Sequence, residues 1–147
     1  MKHLTFEQIL DRDGSLVYKT RGISMLPLLR QDRDLVVIKK KTDEPLKRFD
    51  VALYKRDEKY VLHRVIHVKD GRYDIRGDNT FRIEDVPEEA VLGVLTEINR
   101  NGKTIKADNP SYMRYVRFWN SIYPLRSVYH RCRTSLGRLK RKTFRKA

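Results

Sequence analysis

Apolar residues along the first two-thirds of this chain come in short runs, often alternating with polar ones and punctuated by turn signals. That pattern predicts strands near residues 15–21, 34–39, 50–55, 60–68, 72–77 and 89–98. Asp13-Gly14 marks a turn before the first of them, Asp70-Gly71 a two-residue turn between the fourth and fifth, and Asn101-Gly102 a further hairpin after the last. Ahead of the first strand, Thr5 can cap a short helix, with Gln8 reaching back and Leu4 and Ile9 forming a hydrophobic staple. A two-residue turn at Asp70-Gly71 would oppose Val68 to Tyr73, Ile66 to Ile75 and His63 to Asp78. A three-residue loop would oppose Val68 to Arg72 and turn Asp78 to the other face. The first register pairs apolar residues better and is the one expected.

Beyond residue 110 the period changes. Tyr112, Tyr115, Val116, Trp119, Ile122 and Tyr123 recur at helical spacing up to Pro124. Leu125, Val128, Tyr129, Cys132, Leu136 and Leu139 continue a second stripe, with a frayed end expected over 140–147. The expected organisation is therefore a mainly β domain over 1–110, then a basic, amphipathic helical tail over 111–147.

Charge sharpens that division. Of the 147 residues 33 are Lys or Arg and 19 are Asp or Glu. Residues 111–147 hold eleven of the basic ones and no acid, so the β part is nearly balanced and the basicity belongs to the tail. Three readings of the tail stay open. Its apolar stripes could dock on the β domain. It could lie on an anionic membrane surface, with Trp119 and the tyrosines at the interface. Nucleic-acid binding is the less favoured third.

Composition excludes several classes. No run approaches the ~20 apolar residues that span a bilayer, and the first residues lack the layout of a secretory signal. Cys132 is the single cysteine, so no disulfide closes within the chain. No Cys/His set has zinc-site spacing and there is no glycine-rich phosphate loop, so neither a metal nor a cofactor is expected.

Candidate chemistry centres on Gly22-Ile23-Ser24-Met25-Leu26-Pro27. A serine hydroxyl becomes a nucleophile when a neighbouring base takes its proton and a third group orients that base. Pro27 suits the first position of a helix, which would place Ser24 at a strand-to-helix junction with free amides for an oxyanion. Gly22, lacking a Cβ, would let a substrate backbone approach. His63 in Leu62-His63-Arg64-Val65 is the candidate base, and Asp78 in Gly77-Asp78-Asn79 is its candidate partner.

These residues resemble the signal peptidase I superfamily, which includes the self-cleaving LexA-type repressors. Ser24-Met25-x-Pro27, the valine-rich strand after it, Phe49-Asp50-Val51-Ala52-Leu53-Tyr54, Gly77-Asp78-Asn79 and Val91-Leu92-Gly93-Val94 follow the family order over about residues 15–97. His63-Arg64-Val65 looks like the endoplasmic-reticulum branch, which uses histidine where bacterial members use lysine. The resemblance implies a coiled, partly barrel-like sheet, with Ser24 as nucleophile, His63 as general base and Asp78 as orienting acid. That branch carries a second acidic residue beyond Gly-Asp-Asn, so Glu84 or Asp85 is the alternative acid. Gly22, Met25 and Pro27 would flank the substrate. Leu28 stands where a small residue is usual, and Asp32 and Phe49 where glycine often precedes aspartate.

The expectation is a cytoplasmic serine endopeptidase cutting an extended peptide or leader segment, with peripheral attachment to the membrane one of the open readings of its tail. The rival is a non-catalytic adaptor that binds membrane or nucleic acid through its tail. Self-cleavage is a third possibility.

Overall fold

The structure, a computed structural model, describes residues 4–144, with side chains of the last helix described as far as residue 135. The side chains of Leu136 and Leu139 of the expected stripe, and residues 145–147 of the expected frayed end, lie outside what is described. The fold is mainly β. Among the described residues, eight antiparallel strands form one open sheet, and there are three helices.

Helix α1 (Phe6–Asp13) begins at the expected capping box. Thr5 accepts from the Gln8 amide and the Gln8 side chain accepts from the Thr5 amide, while Gly14 closes the helix in the left-handed conformation at φ 70°. The strands are β1 (Ser15–Lys19), β2 (Asp34–Lys40), β3 (Val51–Arg56), β4 (Lys59–Lys69), β5 (Arg72–Arg76), β6 (Glu84–Pro87), β7 (Val91–Arg100) and β8 (Lys103–Lys106). They lie in the order β1-β2-β7-β3-β4-β5-β6, with β8 added to β7 by the Asn101-Gly102 turn. A short 3-10 turn, Glu88–Ala90, joins β6 to β7, so the strand expected from residue 89 starts at Val91. Strand β6 was not expected. Its sequence Glu84-Asp85-Val86-Pro87 has no apolar alternation, and only Val86 enters the core.

The core on one face of the sheet gathers Leu46, Ala52, Tyr54, Val65, Tyr73, Ile75, Val86 and Val91. Its formation explains a departure from the expected β4–β5 register. Near the turn, Val68 faces Tyr73 as expected. Ile66 is then left over as a bulge, so that Val65 faces Ile75 and Arg64 faces Arg76. In a regular ladder Arg64 would share the face of Tyr73 and Ile75. The bulge replaces it there with Val61, His63 and Val65. Opposition of His63 to Asp78 is accordingly not formed, and the His63 ring lies beside Gly77 instead.

Helices α2 (Pro110–Ser121) and α3 (Tyr123–Phe144) follow the sheet. Two compact units are distinguished, Met1–Met113 and Arg114–Ala147, a division that falls inside α2. Helix α3 runs through residues 140–144, where fraying was expected. No helix among the described residues is long and apolar enough to cross a membrane.

Candidate active site

Ser24 lies in the connection between β1 and β2. The expected helix after it is absent. Residues 23–28 form successive turns, with Leu26 N–H donating to the Ile23 carbonyl at 3.2 Å, Leu29 N–H to Met25 at 2.9 Å, and a cis peptide between Leu26 and Pro27. Pro27 therefore does not open a helix, and no helix N-terminus supplies oxyanion donors at Ser24. Met25, Leu28 and Leu29 bury their side chains. The Arg100 guanidinium donates to the Leu28 carbonyl at 2.6 Å while gripping the buried Asp34 carboxylate at 2.9 Å. Arg33 and the Arg30 amide also donate to Asp34, and together they hold its pKa well below the usual carboxylate range against the opposing effect of burial.

A second clamp on this loop comes from Asn79. Its main-chain N–H donates to the Ser24 carbonyl at 2.8 Å, and its side-chain amide donates to the Ile23 carbonyl at 3.1 Å. The Gly77-Asp78-Asn79 turn thus fastens the candidate nucleophile's backbone. Gly77 is required by space: a Cβ there would lie 2.6 Å from the Ser24 carbonyl oxygen and 3.1 Å from His63 Nε2. Ser24 and the Nε2 edge of His63 close on the same glycine.

His63 is buried on β4 opposite Ala52, whose small side chain leaves room for the ring. Its diagonal neighbour Tyr54 brings its phenol oxygen to 3.2 Å from Nδ1. The same hydroxyl donates to Glu84 Oε2 at 2.8 Å, and Glu84 Oε1 lies 3.9 Å from Nδ1. Arg56 also donates to Glu84. Proton counting fixes the direction of this chain. An ionised carboxylate only accepts, so the phenol gives its one proton to Glu84 and its oxygen accepts from His63 Nδ1–H. Nε2 is then the unprotonated nitrogen, on the side of Gly77 and Ser24.

Electrostatics agree with that assignment. Burial pushes the His63 pKa below its ordinary value, opposed by the Glu84 charge, so the ring is neutral near pH 7. Burial alone would raise Glu84, but hydrogen bonds from Tyr54 and Arg56 bring it lower and keep it ionised. Burial, and then the hydrogen bond to Glu84, raise the Tyr54 phenol far above its usual value, so it stays protonated.

The candidate acids are thus placed differently from one another. Asp78 is buried with both carboxylate oxygens on Arg64, each at 2.7 Å, rather than opposite His63 in the ladder. Asp85 receives Arg72 at the exposed surface and is not part of the groove. Glu84 reaches the Nδ1 side of His63, directly and through Tyr54. Sequence reasoning missed Tyr54, Arg56 and Asn79. Tyr54 and Arg56 could have been found by strand alternation alone, since residues 52, 54 and 56 share a face and Ala52 pairs with His63.

Ser24 and His63 open into a groove of about 1330 Å³ that also takes in Gly22, Met25, Tyr18, Tyr60 and Glu84. Gly22, at φ 86°, adopts the left-handed backbone on its wall. Pro27 is exposed and lies outside it, so it does not flank the groove as expected. Among the described residues, no group of three or more His, Cys, Asp or Glu could hold a metal ion. A scan against protein-family models matches none, and a search of curated proteins finds no similar one.

Proposed function

We propose that this chain is a serine endopeptidase in which Ser24 attacks, His63 is the base, and Glu84 acts on His63 through Tyr54. The observation that carries this reading is the orientation of one ring. His63 Nδ1 is committed to the Tyr54–Glu84 chain, while Nε2 faces the glycine against which the Ser24 backbone is clamped. A neutral, oriented imidazole in an open groove beside a serine is the arrangement that acyl transfer needs. The order of motifs supports a sheet of the signal peptidase and LexA type, coiled and partly barrel-like.

In the reaction, His63 Nε2 takes the Ser24 proton as Oγ bonds to the scissile carbonyl carbon. The imidazolium formed is stabilised by Glu84 across the phenol, then gives its proton to the leaving amine as the C–N bond breaks. Water, deprotonated by His63, releases the acyl group from Ser24. A groove of about 1330 Å³ has room for an extended segment held by main-chain hydrogen bonds, such as the leader of a peptide or protein. A cytoplasmic setting goes with this reading, since a single cysteine has nothing to pair with inside the chain.

The test is peptide cleavage followed by mass spectrometry. Purified protein incubated with a mixed peptide library should yield internal cuts that vanish in Ser24→Ala and His63→Ala proteins. Absence of cuts by the wild type, with intact folding, would favour the adaptor reading. A fragment of the chain itself that appears on ageing and disappears in Ser24→Ala would make the chain its own substrate.

A further inference from the structure

The helical unit turns outward the described residues of the second expected stripe, joined by Phe118, which neither stripe included. Phe118, Leu125, Val128 and Tyr129 are 61%, 77%, 59% and 68% exposed, and Cys132 is exposed as well. These positions belong to one stripe. Ile122 N–H donates to the Phe118 carbonyl at 3.2 Å and Arg126 N–H to the Ile122 carbonyl at 3.1 Å, so helical geometry continues from α2 into α3. At 3.6 residues per turn, 118, 122, 125, 129 and 132 then share one side, with 128 at its margin. Arg117 and Arg131 fall on one flank and Arg126 and Arg133 on the other. Trp119, which the membrane reading of the tail puts at the interface, is stacked on Tyr115 and covered by Arg126 at 3.8 Å.

We infer that this stripe is a docking face for an anionic lipid bilayer surface, with the helix lying in the plane of the interface. Phe118, Leu125 and Val128 enter the acyl boundary, and the flanking arginines meet phosphate headgroups. Charge selects this occupant over a second copy of the chain. Residues 111–147 carry eleven basic residues and no acid, so two such faces repel each other. Side-chain chemistry favours it over nucleic acid: Phe118 and Tyr129 carry rings on which bases could stack, but the exposed Leu125 and Val128 between them do not. This inference rests on the helical unit alone and does not depend on the role of Ser24.

The experiment is co-sedimentation of the full chain with phosphatidylcholine vesicles, with or without about one-third phosphatidylglycerol, at physiological salt. The wild type should sediment with the anionic vesicles. The triple variant F118Q/L125Q/V128Q, which keeps every charge, should lose about tenfold or more of that binding at unchanged helical content. Equal binding by the triple variant, or no wild-type binding, would overturn the inference. An L125W/W119F protein provides a second readout: its emission should shift to the blue on adding anionic vesicles, and an unshifted spectrum would contradict insertion. Retention on a short single-stranded RNA that is lost in the same triple variant would also overturn the lipid assignment.

Discussion

Arg64 and Asp78 form a bidentate pair inside the protein, both charges fully or almost fully shielded from solvent, with Nε and Nη2 each 2.7 Å from a carboxylate oxygen. The remaining Arg64 nitrogen donates to the Phe49 carbonyl at 2.9 Å and to the Tyr112 hydroxyl at 3.3 Å. Successive residues of one strand point to opposite faces, so His63 and Arg64 divide the labour. One enters the groove; the other holds the Gly77-Asp78-Asn79 turn that clamps Ser24.

Asp78 is therefore predicted to act on stability. Asp78→Asn strands the Arg64 charge in the interior and should cost roughly 3 kcal/mol or more. Denaturant unfolding would show it. If Asp78 were instead the acid that orients His63, the same variant would keep its stability and lose only activity.

Tyr54 and Glu84 make a prediction with a definite sign. The Glu84 charge raises the His63 pKa and burial lowers it, with burial the larger effect. A base must be unprotonated, so the acid limb of kcat/KM should lie below the ordinary histidine value of about 6.5. Glu84→Gln removes the raising influence, which should move that limb lower still and reduce the rate by about ten- to a hundredfold. Tyr54→Phe should lower kcat by a similar factor at nearly unchanged KM. A pH profile of Glu84→Gln that matches the wild type, or moves upward, would break the proposed chain.

Gly77→Ala tests the closeness of serine and histidine. The added Cβ would meet the Ser24 carbonyl oxygen at 2.6 Å, and a main-chain atom cannot step aside as a side chain can. Displacement of the Ser24 loop by several tenths of an ångström should cost about a hundredfold in acylation rate. Rates measured with an activated ester would register it. Wild-type rates would mean that the loop position is unimportant.

Phe49 occupies the left-handed region at φ 80°, where a glycine is at ease and a phenylalanine is strained. Its position is imposed from outside, because Phe49 N–H donates to the Val65 carbonyl and Arg64 holds its own carbonyl. Between two truncations, Phe49→Gly should be more stable than Phe49→Ala by about 1 kcal/mol, the reverse of the usual order. Thermal melts of the pair decide it.

How far the sequence could be read depends on where each instruction resides. The Thr5–Gln8 cap, the Asp70-Gly71 turn and the Asn101-Gly102 hairpin are local, and each stood where its residues predicted. The bulge at Ile66 is not local. It depends on which β4 residues fill the space beside Tyr73 and Ile75, and it moved His63 from opposite Asp78 to beside Gly77. Strand β6 is held by pairing to β5 rather than by its own pattern, so the chain offered Glu84 and Asp85 as alternative acids without separating them, and the fold brings only Glu84 to His63. Ser24 and His63 were legible as residue types, whereas the partner on Nδ1 depended on a phenol whose strand alternation went unused.

The most direct test is the intact mass of the protein after exposure to a fluorophosphonate, which bonds to a serine activated by an adjacent base. The account predicts one adduct, mapped by peptide sequencing to Ser24, absent in Ser24→Ala and His63→Ala and slowed in Tyr54→Phe. An unlabelled wild type across about pH 6 to 9, or an adduct that survives loss of Ser24, would contradict it.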